Sequence, residues 1–224
     1  MTAMSRSEAR KGWAPPSRSR CPWRPPPTRR RAPEGGRTPV KLACIAPVGL
    51  VEDDVLAEVE MAIRDRFGFE TRRLPARPTP AGWFDQARGQ WSAIEFMKDL
   101  VASRPPAATR ILGITSGDLF IPMLSFLFGQ AQLNGAAALV STARLRQEFY
   151  GLPPSRDLLM ARVRKETLHE MGHTLGLIHC PDRSCAMCLS TNLEQVDAKL
   201  DRLCRACAAA AGARMRSLTE ADGE

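Results

Sequence analysis

The sequence lacks any apolar run long enough to cross a membrane, which takes about 18 or more residues. Its most apolar stretch, residues 119–127, is short and contains Pro122. The basic residues near the start are not followed by the apolar segment of a secretory signal. These two absences argue against a membrane protein and against secretion, and we therefore expect a reducing, cytoplasmic location.

Most of the chain also lacks net charge, although the formal net charge of the whole sequence is +8. Of the 32 basic and 24 acidic residues, ten and two lie in residues 1–39, which leaves 22 of each sign in residues 40–224. A body without excess positive charge is not typical of proteins that bind polyanions. We expect no nucleic-acid partner for this body.

Residues 1–39 contain eight of the 18 prolines and few large aliphatic side chains. Such a segment cannot bury enough apolar surface to offset the entropy that ordering would cost. We predict a disordered basic extension over residues 1–39 and a catalytic domain over residues 40–215. A C-terminal subdomain should begin near residue 177, and residues 216–224 should form a flexible tail.

Between residues 40 and 175, β-prone apolar runs alternate with segments of helical periodicity. Strands are predicted over residues 40–46, 70–74, 110–115 and 135–141, the last as a candidate edge strand. Helices are predicted from Asp53 to Gly68, from the capping-box spacing of Ser92 and Glu95 to Ser103, and from Ser155 to about Leu175. The alternation predicts a layered α/β fold.

Histidine is scarce, and all three histidines lie in residues 169–179, which read HEMGHTLGLIH. Helix positions four residues apart share a face, so His169 and His173 can bind one metal ion. Gly176 permits a sharp turn after the helix, and the turn can return His179 to the same ion. Three protein ligands with a fourth position open are the pattern of a catalytic zinc site.

Glu170 lies one step around the helix from His169, beside the predicted metal ion and not on it. From this position a carboxylate can accept a proton from a water molecule at the metal. We therefore predict a zinc metallopeptidase in which Glu170 is the general base for hydrolysis of the peptide bond.

The residues after the histidines add a second pattern. Cys180 follows His179 directly, and Cys185, Met187 and a distal Cys-Arg-Ala-Cys at residues 204–207 come next. Together with the histidine stretch, these motifs resemble the archaemetzincins, a family of metzincin zinc peptidases. The resemblance implies an α/β fold with an active-site helix under a twisted mixed sheet and a small C-terminal zinc-stapled lobe. It also implies that Met187 forms the Met-turn beneath the catalytic metal.

Five of the seven cysteines lie within 28 residues, so five thiols compete for the four positions of a structural zinc site. The resemblance implies that Cys180, Cys185, Cys204 and Cys207 hold this second zinc ion. Spacing alone supports a rival set in which Cys188 replaces Cys180, as in a zinc ribbon. A disulfide framework is a third reading, disfavoured by a reducing compartment.

Two further features are candidates for contact with a substrate. Tyr150, the only tyrosine, precedes the active-site helix and is a candidate either to stabilise an oxyanion or to pack at a loop. The strand over residues 135–141 is a candidate to pair with an extended peptide. We expect a monomer with two zinc ions that acts on peptides or proteins. The alternative is a non-hydrolytic zinc-containing module that binds protein or nucleic acid.

Overall fold

The first β-prone run forms a strand, β1 (Leu42–Val48), two residues later than predicted. The structure, a computed structural model, describes residues 41–221, with side chains up to residue 218. Val40, the predicted extension and residues 222–224 of the predicted tail lie outside the described residues. Because of this, the predicted domain boundaries stay predictions.

Helix α1 (Asp53–Phe67) confirms the predicted helix and ends at Gly68, which has a φ of 67°. The chain then returns as β2 (Glu70–Arg73), which pairs in parallel with β1. A short antiparallel pair follows, β3 (Phe84–Asp85) and β4 (Gln90–Ser92).

Helix α2 (Ala93–Ser103) begins and ends close to the predicted residues. Ser92 is its N-cap residue, but the serine side chain makes no capping hydrogen bond, so the predicted capping box is wrong in this respect. Ser92 is also the last residue of β4, so strand pairing fixes its backbone at the start of the helix.

Strand β5 (Arg110–Thr115) is buried along its whole length, as its apolar sequence predicts. The most apolar stretch of the chain then folds into a hairpin of β6 (Leu119–Ile121) and β7 (Leu124–Leu127). Because β6 also pairs in parallel with β4, these strands form a second sheet of four strands in the order β3-β4-β6-β7.

The main sheet is completed by β8 (Gly129–Ala131) and β9 (Ala137–Ser141). Its strand order is β2-β1-β5-β9-β8, and β8 is its antiparallel member. Strand β9 lies between β5 and β8, so the prediction that residues 135–141 form an edge strand is wrong. The edge is β8, a Gly-Gln-Ala tripeptide that carries almost no β-propensity and so gave no sequence signal.

The helix of the histidines is α3 (Arg156–Thr174), and Ser155 caps it by accepting a hydrogen bond from the backbone N–H of Leu158. Two helices that the sequence analysis did not predict follow, α4 (Leu193–Ala198) and α5 (Arg205–Ala221). No helix in the described part of the chain combines the length and apolar character needed to span a bilayer.

Alternate residues of the central strands point into two apolar layers, as the strand period of two requires. On β1, Ala43 and Ile45 pack in the layer that contains α1 and α3. Cys44 and Ala46 pack in the layer that contains α2. The sheet therefore separates α3 from α2, and the histidines lie at the end of a helix that is packed against the sheet.

Candidate active site and metal centres

The end of α3 presents two histidines on one face, as their spacing predicts. The Nε2 atoms of His169 and His173 lie 3.1 Å apart. Gly176 follows with a φ of 85°, a conformation that favours glycine, and it reverses the chain. The ring of His179 then lies 5.3 Å from the ring of His169 and 5.0 Å from that of His173, between centroids. One ring nitrogen from each histidine lies within 4.8 Å of the others.

Backbone carbonyl groups orient the two helical rings. The Nδ1 of His169 lies 2.9 Å from the oxygen of Ala186, and the Nδ1 of His173 lies 2.7 Å from the oxygen of Leu177. If each Nδ1–H donates to its carbonyl, each Nε2 is left as a lone-pair donor. Burial is the main cause that lowers the pKa of both rings, which favours the neutral form that metal binding needs.

The histidine cluster fits a zinc ion in its donor set and spacing. Zinc–nitrogen bonds of about 2.0–2.1 Å in a tetrahedron place ligand nitrogens about 3.3–3.4 Å apart. The observed 3.1 Å between the Nε2 atoms of His169 and His173 is close to this value. The histidines line a cleft, so a fourth position is accessible to water and substrate.

Glu170 is only 5% exposed and lines the same cleft. Burial, and next the neighbouring carboxylate of Glu166, raise the pKa of Glu170 well above its usual range, while the Lys199 ammonium acts in the opposite direction. A side-chain carbon added at Gly129 would lie 2.6 Å from Cγ and Oε1 of Glu170. The Glu170 side chain therefore occupies the space that a side chain at position 129 would need, and only glycine fits there without a shift of Glu170.

A buried ion pair between Lys199 and Glu166 lies next to the histidines and Glu170. The Nζ of Lys199 donates to Oε1 of Glu166 at 3.0 Å, and both residues are almost completely buried. The same Nζ lies 3.5 Å from the carbonyl oxygen of Ala186, which is the group that orients His169. Sequence reasoning missed both residues. Glu166 had a usable signal, since it lies four residues before Glu170 on the same helix face, whereas Lys199 had none.

Met187 is fully buried and packs against α3 at Gly172, between the two helical histidines. A side-chain carbon at Gly172 would overlap the Met187 sulfur. The backbone N–H of Cys180 donates to the carbonyl oxygen of Met187 at 3.0 Å, which ties the methionine loop to the residue after His179. Met187 therefore contacts the turn of α3 that carries the histidines, and its role as the Met-turn beneath the metal stays a prediction.

Four of the clustered cysteines converge in the C-terminal part of the chain. One sulfur from each of Cys180, Cys185, Cys204 and Cys207 lies within 4.8 Å of the others. The Sγ atoms of Cys180 and Cys204 are 3.8 Å apart, and zinc–sulfur bonds of about 2.3 Å in a tetrahedron give an edge of about 3.8 Å. Cys188 is not in this group, and its thiol points to the carbonyl oxygen of Leu189 at 3.6 Å.

The sulfur cluster is electrostatically suited to a cation. A hydrogen bond from the backbone N–H of Cys207 is the main cause that lowers the pKa of Cys204 to about 7. Burial, and then the neighbouring thiols, raise the pKa of Cys207, and burial also raises that of Cys180. Four such close thiols cannot all ionise without a positive charge among them, and a zinc ion would supply that charge.

The cleft above the histidines has a volume of about 680 Å³ and largely apolar walls. These walls come from β7, β8, the loop between β8 and β9 and the loops after α3, and include Leu124, Phe126, Leu133, Ile178 and Leu189. Tyr150 is not among the residues that line this cleft, and its hydroxyl donates to the carbonyl oxygen of Arg144 at 3.2 Å. Its predicted part in oxyanion stabilisation stays a prediction.

Comparison with known proteins gives close relatives. The sequence model of Peptidase family M54 matches residues 55–211. The archaemetzincin of Methanocaldococcus jannaschii is 42% identical over 164 residues, which cover 73% of this chain and 89% of that protein. The archaemetzincin of Pyrococcus furiosus is 36% identical over 169 residues, with coverage of 73% and 88%.

Solved structures agree with the sequence matches. The crystal structure of archaemetzincin from Methanopyrus kandleri superposes with a TM-score of 0.71 at 34% identity, over 81% of this chain and 98% of that one. Archaemetzincin from Archaeoglobus fulgidus, complexed with malonate, gives a TM-score of 0.66 at 30% identity, over 75% and 99%. The expected metzincin-like α/β fold is confirmed. The chain therefore belongs to peptidase family M54 and is a zinc metallopeptidase.

Proposed function

We propose that the chain hydrolyses peptide bonds at the histidine centre with Glu170 as the general base. One observation supports this above all. A buried carboxylate and three converging imidazoles line one cleft. The imidazoles of His169, His173 and His179 are the proposed ligands of the catalytic zinc ion.

A zinc ion held there would supply a Lewis acid that makes a water molecule more acidic and stabilises negative charge on a carbonyl oxygen. Glu170 accepts the proton of the attacking water on a carboxylate oxygen and then donates it to the leaving amine. Burial acts to raise the pKa of Glu170 and so to make the carboxylate a stronger base, whereas a zinc ion at the histidines would act in the opposite direction.

We propose that substrate peptides lie along β8 in an extended conformation. This strand is the antiparallel edge of the main sheet, and all three of its residues line the cleft. An exposed strand edge offers backbone donors and acceptors that an extended peptide can pair with. The apolar side chains at the cleft rim, such as Ile178 and Leu189, favour substrates with apolar residues beside the cleaved bond.

We also propose a second, structural zinc ion bound by Cys180, Cys185, Cys204 and Cys207. Thiolate ligands on all four positions leave no site for substrate, so this ion stabilises the fold and takes no part in hydrolysis. It would join the loop after His179 to the start of α5, in a C-terminal subdomain that begins near residue 177. We propose a monomeric enzyme with two zinc ions and no nucleic-acid partner.

Cleavage of a diverse peptide library, read by mass spectrometry, tests the proposed function. The zinc-loaded parent chain should cleave peptides, and Glu170→Gln, which keeps the shape of the side chain, should not. Equal cleavage by both would rule out Glu170 as the general base. Cleavage by neither, with zinc present in both, would favour the non-hydrolytic binding module.

A further inference from the structure

A second pocket, of about 600 Å³, shares none of its lining residues with the active-site cleft. It lies among the segment before β5, the loop between β8 and β9, and α5, and its polar lining residues include Arg104, Thr109, Arg110, Asn134 and Arg214. Its volume falls in the range of small-molecule sites, about 300–1,000 Å³.

Three guanidinium groups line this pocket, and none has an acidic partner among the side chains that the structure describes. Among the described residues that line it there is no aspartate or glutamate. Among residues 41–218, whose side chains the structure describes, none of Arg104, Arg110 and Arg214 forms an ion pair, although the other buried or half-buried arginines do. Three positive charges in one pocket repel one another unless an anion lies between them.

Arg110 shows how unusual the cluster is, since it is a charged residue that is only 5% exposed. It donates to the carbonyl oxygen and the hydroxyl of Thr174, both at 3.2 Å, and to the carbonyl oxygen of Thr109 at 2.8 Å. Burial, and next the charges of Arg214 and Arg104, lower the pKa of Arg110 to about 10. Its contacts with the end of α3 give Arg110 a structural role and only partly offset its burial.

The other two arginines have fewer partners. Arg104 donates to the carbonyl oxygen of Ala108, and Arg214 donates from Nη1 to the hydroxyl of Ser217 at 3.3 Å. The Nε of Arg214 is buried and has no acceptor among the described residues. A buried N–H without an acceptor is rare in native proteins and calls for a missing partner.

We propose that this pocket binds the phosphate group of a small phosphorylated ligand. A phosphate carries about two negative charges and several acceptor oxygens, so it can accept from several guanidinium groups at once. A single carboxylate has one charge and two oxygens, so it neutralises the cluster less completely. The ligand would lie next to Arg110 and Asn134, which both contact the last residues of α3.

Calorimetric titration of the zinc-loaded full chain with inorganic phosphate, at constant ionic strength, tests this proposal. The variants are Arg104→Gln and Arg214→Gln. Arg216→Gln is the matched control. Arg216 lies on α5, as Arg214 does, but it is exposed and does not line the pocket. We expect the parent chain and the control to bind phosphate alike and more tightly than acetate. Each pocket variant should bind about tenfold or more weakly, since it loses a charged hydrogen bond.

Three results would overturn the proposal. The first is no binding by the parent chain, and the second is equal affinity in all three variants, which would place phosphate elsewhere, such as at the metal centre. The third concerns the acidic residues at the end of the sequence, Glu220, Asp222 and Glu224. If phosphate binds only when these residues are replaced by glutamine or asparagine, their carboxylates are the natural partners of the arginines and no phosphorylated ligand is needed.

Discussion

The environment of the Glu170 carboxylate is set by residues that come from three separate parts of the chain. Glu166 lies one turn earlier on α3, Lys199 follows α4, and Gly129 begins β8. The histidine motif alone predicts Glu170 beside the proposed metal ion, because the geometry of one helix fixes its position relative to His169 and His173. Gly129 and Lys199 reach Glu170 only through tertiary packing, so single-sequence reasoning had no pattern from which to predict either of them.

Gly129→Ala should impair hydrolysis while zinc stays bound. The new carbon would lie 2.6 Å from the Glu170 side chain and 2.7 Å from the carbonyl oxygen of Leu139, so Glu170 must move. A displacement of about 1 Å at a catalytic group can cost on the order of 100-fold in rate. Steady-state kinetics with zinc analysis checks this. Gly82→Ala is the control, because Gly82 has open space around its missing side chain. Equal rates in both variants would contradict the close contact.

Lys199→Met should destabilise the fold by about 3–5 kcal/mol, because it leaves the buried Glu166 carboxylate without a partner. Urea unfolding of the zinc-loaded chain measures the free energy of unfolding. The double variant Glu166→Gln with Lys199→Met should recover part of the loss, since the uncompensated charge is then gone. If the single and double variants were equally unstable, the charge pair would not be the cause.

At the scale of helices and strands, the sequence predicts what has strong local periodicity. The apolar spacing of α1, the buried run of β5 and the start of α3 at Ser155 all agree with the structure. The β6–β7 hairpin was not predicted, because Pro122 interrupts its apolar stretch. Strand β8 exists because β9 pairs with it, and its three residues have no preference of their own for a strand.

Two backbone hydrogen bonds join the loop after α3 to the residues before α5, from Ala186 to Arg202 and from Leu200 to Ser184. The cysteine centre joins the same two segments, so we expect it to contribute strongly to their stability. Cys204→Ser should lower the zinc content by one ion per chain and make the part of the chain after residue 177 sensitive to proteolysis. Cys188→Ser is the control and should change neither property, because Cys188 lies outside the sulfur cluster. A loss of zinc in Cys188→Ser would instead support the rival ribbon set.

At the scale of the whole molecule, charge is distributed unevenly along the chain. Residues 1–39 carry all of the excess positive charge, and residues 40–224 are neutral overall. Deletion of residues 1–39 should therefore leave the rate of peptide hydrolysis unchanged. It should also abolish any salt-sensitive affinity for DNA or RNA, which depends on positive charge. Nucleic-acid binding that survives the deletion, measured by fluorescence anisotropy at two salt concentrations, would contradict the proposal that residues 40–224 have no nucleic-acid partner.

One chain should hold a catalytic zinc ion on three histidines and a structural zinc ion on four cysteines. Anomalous diffraction recorded on both sides of the zinc absorption edge, from crystals of the full chain, tests it most directly. We predict two peaks. One should lie about 2.0–2.1 Å from nitrogens of His169, His173 and His179, and the other about 2.3 Å from the four sulfurs. A peak at the cysteines with none at the histidines would contradict the account and leave a zinc-stabilised fold without a catalytic metal.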